Sequence, residues 1–256
     1  MGVYVETRIR TDLETLWDHT REPGRQQRWD LRFTEISPLS RTGPGEGPER
    51  FRYATRVLPF LVVVGTGVSA GERHRAGGDR VSALRFSSSD PRSLLAEGSG
   101  YWRFVPTPDG VRFLTGYDYR PRWGRFGRVV DRLFLRPLMG WATAWSFDRL
   151  RLWCERDIAP ARSRDRWLLE LAARVLLVAA PLTATVLPPG LPPLFAVPLA
   201  VLGLAAAVLV PPSSRAPAAR RCLRTPPATA REPRLLATLA PPGAGDHRTT
   251  APEDPS

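Results

Sequence analysis

The chain has 256 residues, of which 43% are hydrophobic and 24% are charged, and its formal net charge is +12. This length is typical of one domain with extra segments or of two small domains, and the hydrophobic share excludes a wholly disordered chain. Two cysteines, Cys154 and Cys222, are too few for a disulfide scaffold or a four-cysteine zinc site. Three scattered histidines show no metal-ligand spacing, so we expect neither a metal nor another cofactor.

All 37 basic residues are arginines. Together with 27 prolines and 21 glycines, this composition is typical of a GC-rich genome, so the basic balance is partly a coding bias. A basic balance favours nucleic acid or an anionic membrane as a partner. The chain carries no nucleic-acid recognition motif, and we therefore expect no nucleic-acid partner.

Residues 1–157 predict an α+β domain. The alternating segment Val3–Arg10 predicts a strand, and two short helices follow, the second over Arg21–Trp29. Six further strands are separated by short turns rich in glycine, proline and aspartate, which favours antiparallel neighbours. These strands are Leu31–Pro38, Glu49–Leu58, Leu61–Ala70, Arg80–Ser88, Leu95–Val105 and Val111–Arg120.

A long helical stretch, Phe126–Arg156, ends this domain. Pro137 lies inside it, so the helix either kinks there or restarts with Pro137 in its first turn. Several apolar residues at helical spacing predict a face that packs on the sheet. They are Phe126, Val130, Leu133, Leu138, Trp141, Trp145 and Leu152.

Several short sequence motifs accompany this order of elements. They are Val5-Glu6-Thr7 with Leu16-Trp17, Gln27-Arg28-Trp29, Gly100-Tyr101-Trp102-Arg103-Phe104, Asp109-Gly110-Val111 and Leu150-Arg151-Leu152-Trp153-Cys154-Glu155. Over residues 1–157 the chain resembles the START-like helix-grip superfamily (SRPBCC) of polyketide cyclases and lipid-transport proteins. The resemblance implies a seven-stranded curved antiparallel sheet around a long C-terminal helix. It also implies an apolar cavity between them for a lipid, polyketide, sterol or hormone.

Aromatic residues are the candidates for lining that cavity. They are Tyr53, Tyr101, Trp102, Tyr117 and Tyr119 on the strands, and Trp141 and Trp145 on the helix. The alternative is ordinary core packing for the tryptophans and a half-exposed sheet position for the tyrosines. No serine-hydrolase, phosphate-loop or dinucleotide motif is present, and we assign no catalytic residue.

Arginines crowd the start of the long helix. Arg125, Arg128, Arg132 and Arg136 are spaced by three, four and four residues, which places them on one helical face. Such a basic stripe is suited to anionic lipid headgroups. The alternative is a solvated face that the coding bias has made rich in arginine.

The segment after the domain is divided into three parts. Residues 158–166 form a basic linker, residues 167–211 a transmembrane helical hairpin, and residues 212–256 a disordered tail rich in proline, alanine and arginine. The predicted spans are Trp167–Leu187 and Leu191–Val210, because no residue from Val175 to Val210 is charged and a spanning helix needs about 20 apolar residues. The alternative is a buried hairpin in a soluble protein.

Arginines on both sides of the hairpin predict its orientation. Arg162, Arg164 and Arg166 precede the first span, whereas Arg215, Arg220, Arg221 and Arg224 follow the second. The positive-inside rule therefore places both termini and the START-like domain on the cytoplasmic side of the cell membrane.

Three functions are consistent with these features. The favoured hypothesis is a membrane-anchored, non-enzymatic binding protein that takes a hydrophobic small molecule from the lipid bilayer or delivers it there. A second is a cyclase or aromatase, with tyrosines and Arg85 or Arg56 positioning a polyketide-like substrate. The third is an interaction module with a closed cavity.

Overall fold

The computed structural model describes residues 2–39, 49–58, 61–74, 78–186, 190–228, 233 and 235–236. The side chains of Arg56 and His74 lie outside the described part. Residues 229–232, 234 and 237–256, which make up more than half of the predicted tail, also lie outside it.

The domain is built on one seven-stranded, wholly antiparallel sheet. In chain order the strands are β1 (Val3–Ile9), β2 (Glu35–Pro38), β3 (Glu49–Leu58), β4 (Leu61–His74), β5 (Arg80–Ser87), β6 (Leu95–Thr107) and β7 (Gly110–Pro121). Their spatial order is β1-β7-β6-β5-β4-β3-β2, so the first two strands form the two edges. Register shifts interrupt β3, β4 and β6, and such bulges bend strands and curve a sheet.

Two short helices, α1 (Leu13–Arg21) and α2 (Pro23–Trp29), carry the chain from one sheet edge to the other. Asp12 caps α1, since its carboxylate accepts a 2.8 Å hydrogen bond from the Thr15 backbone nitrogen. Pro23 lies in the first turn of α2, where its missing N–H costs nothing. The predicted strand from Leu31 is shorter because the Asp30 side chain accepts the Arg32 backbone N–H in a turn.

Helical backbone runs from Gly124 to Arg156 but not as one α-helix. Trp123, with a φ of 67°, turns the chain from β7 into α3 (Gly124–Val130). A π-helical turn, Asp131–Leu135, then joins α3 to α4 (Arg136–Arg156). Pro137 lies in the first turn of α4, which is the second of the two predicted arrangements.

The main core lies between the sheet and α4. Phe147 of α4 stacks on Phe113 of β7 with ring centroids 4.4 Å apart, and Trp29 of α2 closes one side. The predicted sheet-facing row is wrong for Phe126, Leu133 and Leu138, whose side chains are 68%, 60% and 55% exposed. The π turn has a wider hydrogen-bonding pattern than an α-helix, so one helical period does not continue from α3 into α4.

Two further helices, α5 (Pro160–Thr183) and α6 (Pro193–Leu209), form a helical hairpin. At Gly203 the helices approach so closely that a Cβ atom would collide with the Leu177 backbone oxygen of α5. The predicted basic linker 158–166 is not a separate segment, because α5 already begins at Pro160.

Among the described residues, which leave out 187–189, no helix is both long and apolar enough to cross a membrane. The charges of α5 continue from Arg162 to Arg174, and α6 has 17 residues, or about 25 Å at 1.5 Å per residue. The structure thus shows a hairpin within residues 167–211 but not the two predicted spans.

After the hairpin the chain comes back to the domain as a return segment, residues 211–223. Its Ala218 backbone nitrogen donates to Asp148 Oδ2 at 2.7 Å, and Arg221 Nη1 donates to the same oxygen at 2.9 Å. Leu223 and Glu6 of β1 exchange two backbone hydrogen bonds of 2.8 Å, so the return segment pairs with the free edge of the sheet. The prediction of disorder from residue 212 onward is therefore wrong for this segment.

Candidate functional site

The sheet has a helix-facing side, which packs on α1, α2 and α4, and an outer side. The strand register places Phe86, Gly98 and Tyr119 in one row across β5, β6 and β7. Phe86 and Tyr119 both belong to the main core cluster with residues of α4, so this row lies on the helix-facing side.

Aromatic side chains on this side each reach over a glycine of a neighbouring strand. The pairs are Tyr53 over Gly65, Phe51 over Gly67 and Phe86 over Gly98. A Cβ atom at any of these glycines would collide with the ring that covers it. The rings also contact one another, with Tyr53 6.4 Å from both Phe51 and Phe86 between centroids. The glycines thus leave room for a continuous aromatic surface across β3 to β6, which we call the aromatic floor.

Two tyrosines of β7 border this floor. Tyr117 and Tyr119 are two residues apart, and their rings stack with centroids separated by 6.4 Å. The Tyr117 hydroxyl lies 2.9 Å from the Thr143 hydroxyl on α4, and the Tyr119 hydroxyl donates to Asp131 Oδ1 at 2.5 Å. Both hydroxyls are therefore fixed by the long helical stretch.

Each tyrosine ring also faces an arginine that is paired with a buried aspartate. Arg32 makes a bidentate pair with Asp30 at 2.9 and 2.7 Å, and its guanidinium lies 5.4 Å from the Tyr117 ring centroid. Arg136 lies 3.2 Å from Asp131 and 5.5 Å from the Tyr119 ring centroid. We call this set the polar cluster; it comprises Asp30, Arg32, Tyr117, Tyr119, Asp131, Arg136 and Thr143.

Burial and the neighbouring carboxylates determine the pKa shifts of the tyrosines and of Arg32 in the polar cluster. Burial raises the pKa of Tyr117 and of Tyr119, and the bond to Asp131 raises that of Tyr119 further. Burial alone would lower the pKa of Arg32, but the Asp30 carboxylate raises it above its ordinary value. At neutral pH the cluster thus presents neutral phenols and a charged guanidinium, which suit an oxygen-bearing polar group on an apolar ligand.

The predicted cavity residues on the strands do not all lie on the same side of the sheet. Tyr53, Trp102, Tyr117 and Tyr119 lie on the helix-facing side. Tyr101 lies on the outer side, packed in a second cluster with Tyr4 and Leu235. Its assignment to the same cavity as Trp102 is wrong, since consecutive residues of a strand point to opposite sides of a sheet.

The two helix tryptophans face away from the aromatic floor. Trp141 and Trp145 pack against Trp167 of α5, with ring centroids 6.1 and 5.6 Å apart. Thr143 and Phe147, on the other side of α4, are the residues that meet the sheet. Trp141 and Trp145 thus join α4 to the hairpin, and their predicted place in a cavity under the sheet is not what the structure shows.

Sequence reasoning missed Asp30, Arg32 and Thr143. Asp30 and Arg32 follow directly after α2, but nothing in their spacing indicates a contact with Tyr117, which is distant in the chain. Asp131 could have been singled out from the sequence, because it is the one acidic residue among the crowded arginines of residues 120–136.

The four arginines of the predicted basic stripe do not share one environment. Arg125, Arg128 and Arg132 are exposed, whereas Arg136 turns inward to the polar cluster beyond the π turn. Arg85, offered as a substrate-positioning residue of an enzyme, lies on the outer side of the sheet and donates to the Leu236 backbone oxygen at 3.3 Å. Arg56 lies on β3, with its side chain outside the described part.

A groove of about 940 Å³ lies at the other end of α4, between β1 and the return segment. Its arginines are largely engaged in the protein, with Arg151 paired to Asp148 and Glu155, and Arg221 paired to Asp148. The lining of this groove is mostly polar and charged, whereas the polar cluster adjoins the aromatic floor, and we therefore place the candidate site at the polar cluster. The residues that the structure describes contain no group of three or more metal-ligating side chains.

No protein-family model matches the chain. A relative, the uncharacterized membrane protein YndG of Bacillus subtilis, is 46% identical over 161 residues. The match covers 62% of this chain and 59% of the relative, so the chain spans less than two thirds of that protein's length.

Several solved structures are similar to part of this chain. A STAR-related lipid transfer protein from Xanthomonas axonopodis is 14% identical, with a TM-score of 0.43 over 58% of this chain and 82% of that one. The di-domain aromatase/cyclase StfQ from the steffimycin biosynthetic pathway is 15% identical, with a TM-score of 0.46 over 61% and 50%. The protein TTHA0849 from Thermus thermophilus is 17% identical, with a TM-score of 0.44 over 59% and 97%.

Proposed function

We propose that this chain is a membrane-attached binding protein whose N-terminal domain holds a hydrophobic molecule with an oxygen-bearing polar group. The hydrocarbon part lies on the aromatic floor of Phe51, Tyr53 and Phe86, and the polar group meets Arg32 and the two tyrosines of the polar cluster. The observation that carries the proposal is the placement of a charged, buried guanidinium beside an aromatic surface, since ligand sites combine apolar walls with a few fixed polar groups.

Attachment to a membrane is supported by the surface of the hairpin. Large apolar side chains are exposed along both helices, among them Leu169 at 70%, Leu194 at 78% and Leu209 at 77%. A soluble monomer rarely exposes so large a contiguous apolar surface, and lipid is the environment that removes it from water. The 46% identical relative carries the description of a membrane protein, which agrees with this part of the proposal.

The orientation of the chain follows from its charges. Arg162, Arg164 and Arg166 lie before the apolar part of the hairpin and Arg215 lies after it, so both ends and the domain belong on the cytoplasmic side. Protease added to inside-out vesicles should then digest the domain, and protection of the domain would contradict this orientation.

An enzyme of the cyclase or aromatase type remains the second candidate. The Tyr119–Asp131 hydrogen bond places a phenol beside a carboxylate inside the site, which is the kind of pair that transfers protons. Conversion of an aromatic-precursor polyketide by the purified chain, lost in Asp131→Asn, would favour the enzyme over the carrier.

The binding proposal is tested with the full chain in detergent and with the fluorescent fatty acid cis-parinaric acid as the probe. We expect energy transfer from tryptophan to the bound probe, and a Kd at least tenfold weaker in Arg32→Gln, since a charge-assisted hydrogen bond is lost. Arg32→Lys should bind more tightly than Arg32→Gln because it keeps the positive charge.

The matched control is Arg120→Gln, because Arg120 is 72% exposed and pairs with Glu97 away from the site. Thermal unfolding checks that each variant is folded. Equal probe affinity in the folded wild-type, Arg32→Gln and Arg120→Gln chains would overturn the proposed site.

A further inference from the structure

The exposed face of α3 and the π turn has a composition unusual for a solvated helix. Five large apolar side chains of this short stretch are between 55% and 68% exposed, and Trp123 just before it is 47% exposed. The five are Phe126, Val129, Leu133, Phe134 and, at the start of α4, Leu138, with exposures of 68%, 56%, 60%, 68% and 55%. We call this set, with Trp123, the apolar ridge.

Three exposed arginines lie alongside the apolar ridge. Arg125, Arg128 and Arg132 are spaced by three and four residues, so they follow one edge of the helix. Phe126, Val129 and Leu133 repeat the same spacing one residue later and form the neighbouring row. A row of large apolar residues bordered by arginines is the pattern of a helix that lies in the interface of a membrane, with its cations at the headgroups.

The hairpin extends toward the same end of the domain. Arg149 Nε donates to the Pro160 backbone oxygen at 2.9 Å, and Trp167 contacts Trp145 and Trp141, so α5 runs antiparallel to α4. Beyond Trp167, α5 continues for 16 residues to Thr183, or about 24 Å. In the same direction the helical stretch before Trp141 leads to Phe126 and the rest of the apolar ridge.

We propose that the apolar ridge is a second membrane contact, which docks on an anionic lipid bilayer with Arg125, Arg128 and Arg132 at the headgroups. The inference rests on the proposed attachment of the hairpin to the same bilayer. Asp131 of this docked turn bonds to Tyr119 on its inner side, so the ridge and the polar cluster share one element. Docking therefore brings the candidate ligand site next to the lipid surface.

The anionic bilayer is favoured over a protein partner by charge and by position. None of the three arginines forms an ion pair among the contacts of the described residues, in contrast to Arg136 beside them. The apolar ridge lies at the end of the domain from which the hairpin extends. Once the hairpin is in the bilayer, the ridge is therefore held close to the lipid. A protein partner is the alternative that the test distinguishes.

The test measures depth in the bilayer with a spin label on the full chain in nanodiscs. Single cysteines replace Val129, Leu133 or Asp109, an exposed residue that lines the groove at the other end of α4. The native Cys154 and Cys222 interfere little, because burial raises the pKa of each thiol to about 12 and holds it unreactive. In nanodiscs of phosphatidylcholine with 30% phosphatidylglycerol, labels at 129 and 133 should be accessible to oxygen and shielded from nickel-EDDA.

The label at position 109 is the control and should show the opposite accessibility. Replacing Arg125, Arg128 and Arg132 together by Gln should shift the docking equilibrium away from the bilayer by about fivefold per arginine. Labels at 129 and 133 that stay accessible to nickel-EDDA, both with phosphatidylglycerol and in nanodiscs of phosphatidylcholine alone, would overturn the docking of the ridge. Shielding that is unchanged by the Gln substitutions and by lipid charge would point to a protein contact and would also overturn it.

Attachment of the hairpin is read separately, from flotation of the chain with liposomes. A chain that floats but keeps a solvated ridge contradicts only this inference, whereas a chain that does not float contradicts the proposed attachment. Probe binding to the polar cluster in detergent is independent of both results.

Discussion

The Tyr119 hydroxyl donates a 2.5 Å hydrogen bond to Asp131, which lies in the π turn between α3 and α4. A π turn rotates the residues that follow it relative to those of a regular α-helix, and such turns often lie at functional sites. Here Asp131 is 4% exposed while Leu133 and Phe134, two and three residues later, are 60% and 68% exposed. One short turn thus carries both an inward acid and an outward apolar surface.

Removal of the Tyr119 hydroxyl should therefore destabilise the domain. In Tyr119→Phe, the buried Asp131 loses a donor and, among the described contacts, keeps Arg136 as its side-chain partner, which should cost about 1.5–3 kcal/mol, as expected for a bond to a charged group. Tyr53→Phe is the matched control, because its buried hydroxyl makes no hydrogen bond among the described contacts and its loss should cost less than about 1 kcal/mol. Thermal unfolding of the two variants measures the difference, and equal shifts in Tm would contradict a special role for the Asp131 bond.

The buried tyrosines should lose their hydroxyl protons only at a pH above that at which a free tyrosine does. Burial raises the pKa of Tyr53 to about 12 and raises those of Tyr4, Tyr117 and Tyr119 above their ordinary value. A pKa raised in the folded state means that the neutral phenol is favoured there, so its contribution to stability is complete below pH 10 and is lost as the pH rises further. The absorbance of tyrosinate at 295 nm should thus remain small at pH 10–11 and rise when the domain unfolds.

Urea-unfolded chain is the reference for that titration. Its five tyrosines should titrate together near pH 10. If the native chain titrated four or five tyrosines at this same pH, the burial of the tyrosines on both sides of the sheet would be contradicted.

Most of the fold follows from local sequence signals. The strand Glu49–Leu58 has the bounds that turn residues and alternation predict, and the order of strands and helices is as expected. The placement of Tyr101 needed only strand alternation, which assigns it and Trp102 to opposite sides. The error came from treating all strand aromatics as one set.

The remaining features depend on contacts between distant residues. The polar cluster joins Arg32, Tyr117 and Asp131 from three elements, and no local pattern places them together. The return segment looks disordered because it lacks apolar periodicity, but its order comes from polar bonds to Asp148 and from pairing with β1. The π turn has no evident sequence signal, and it alone moves Arg136 out of the basic stripe.

The aromatic floor should depend on its glycines. In Gly98→Ala the new Cβ atom meets the Phe86 ring and the Asp118 backbone oxygen, so overpacking should cost about 1–3 kcal/mol. Gly140→Ala is the control, because its Cβ atom lies 3.8 Å from Val3 Cγ1 in ordinary contact, and alanine favours a helix by up to about 1 kcal/mol. The first variant should lower the Tm and the second should raise it.

A double-mutant cycle identifies the cause of the loss at Gly98. Phe86→Leu removes the ring, so it should recover part of the stability lost in Gly98→Ala, with the remainder due to the Asp118 backbone. Purely additive effects of the two substitutions would show that the ring does not lie over the glycine.

Asp148 should hold the return segment on the domain. Its side chain is fully buried, and its two oxygens accept hydrogen bonds from Arg151, Arg221 and the Ala218 backbone nitrogen. Asp148→Asn removes the charge that both guanidiniums require, and breaking a buried pair of this kind costs about 3–5 kcal/mol. Since these bonds lie between α4 and the return segment, the loss should release that segment before it unfolds the sheet.

Limited trypsin digestion measures this release, because Arg220 and Arg221 lie in the return segment. Cleavage there should become at least tenfold faster in Asp148→Asn, while cleavage within the strands stays slow. Asp165→Asn is the matched control, since Asp165 pairs only with the exposed Arg164 among the described contacts and its loss should leave the rate unchanged. An unchanged rate in Asp148→Asn would mean that the β1 edge pairing alone retains the segment.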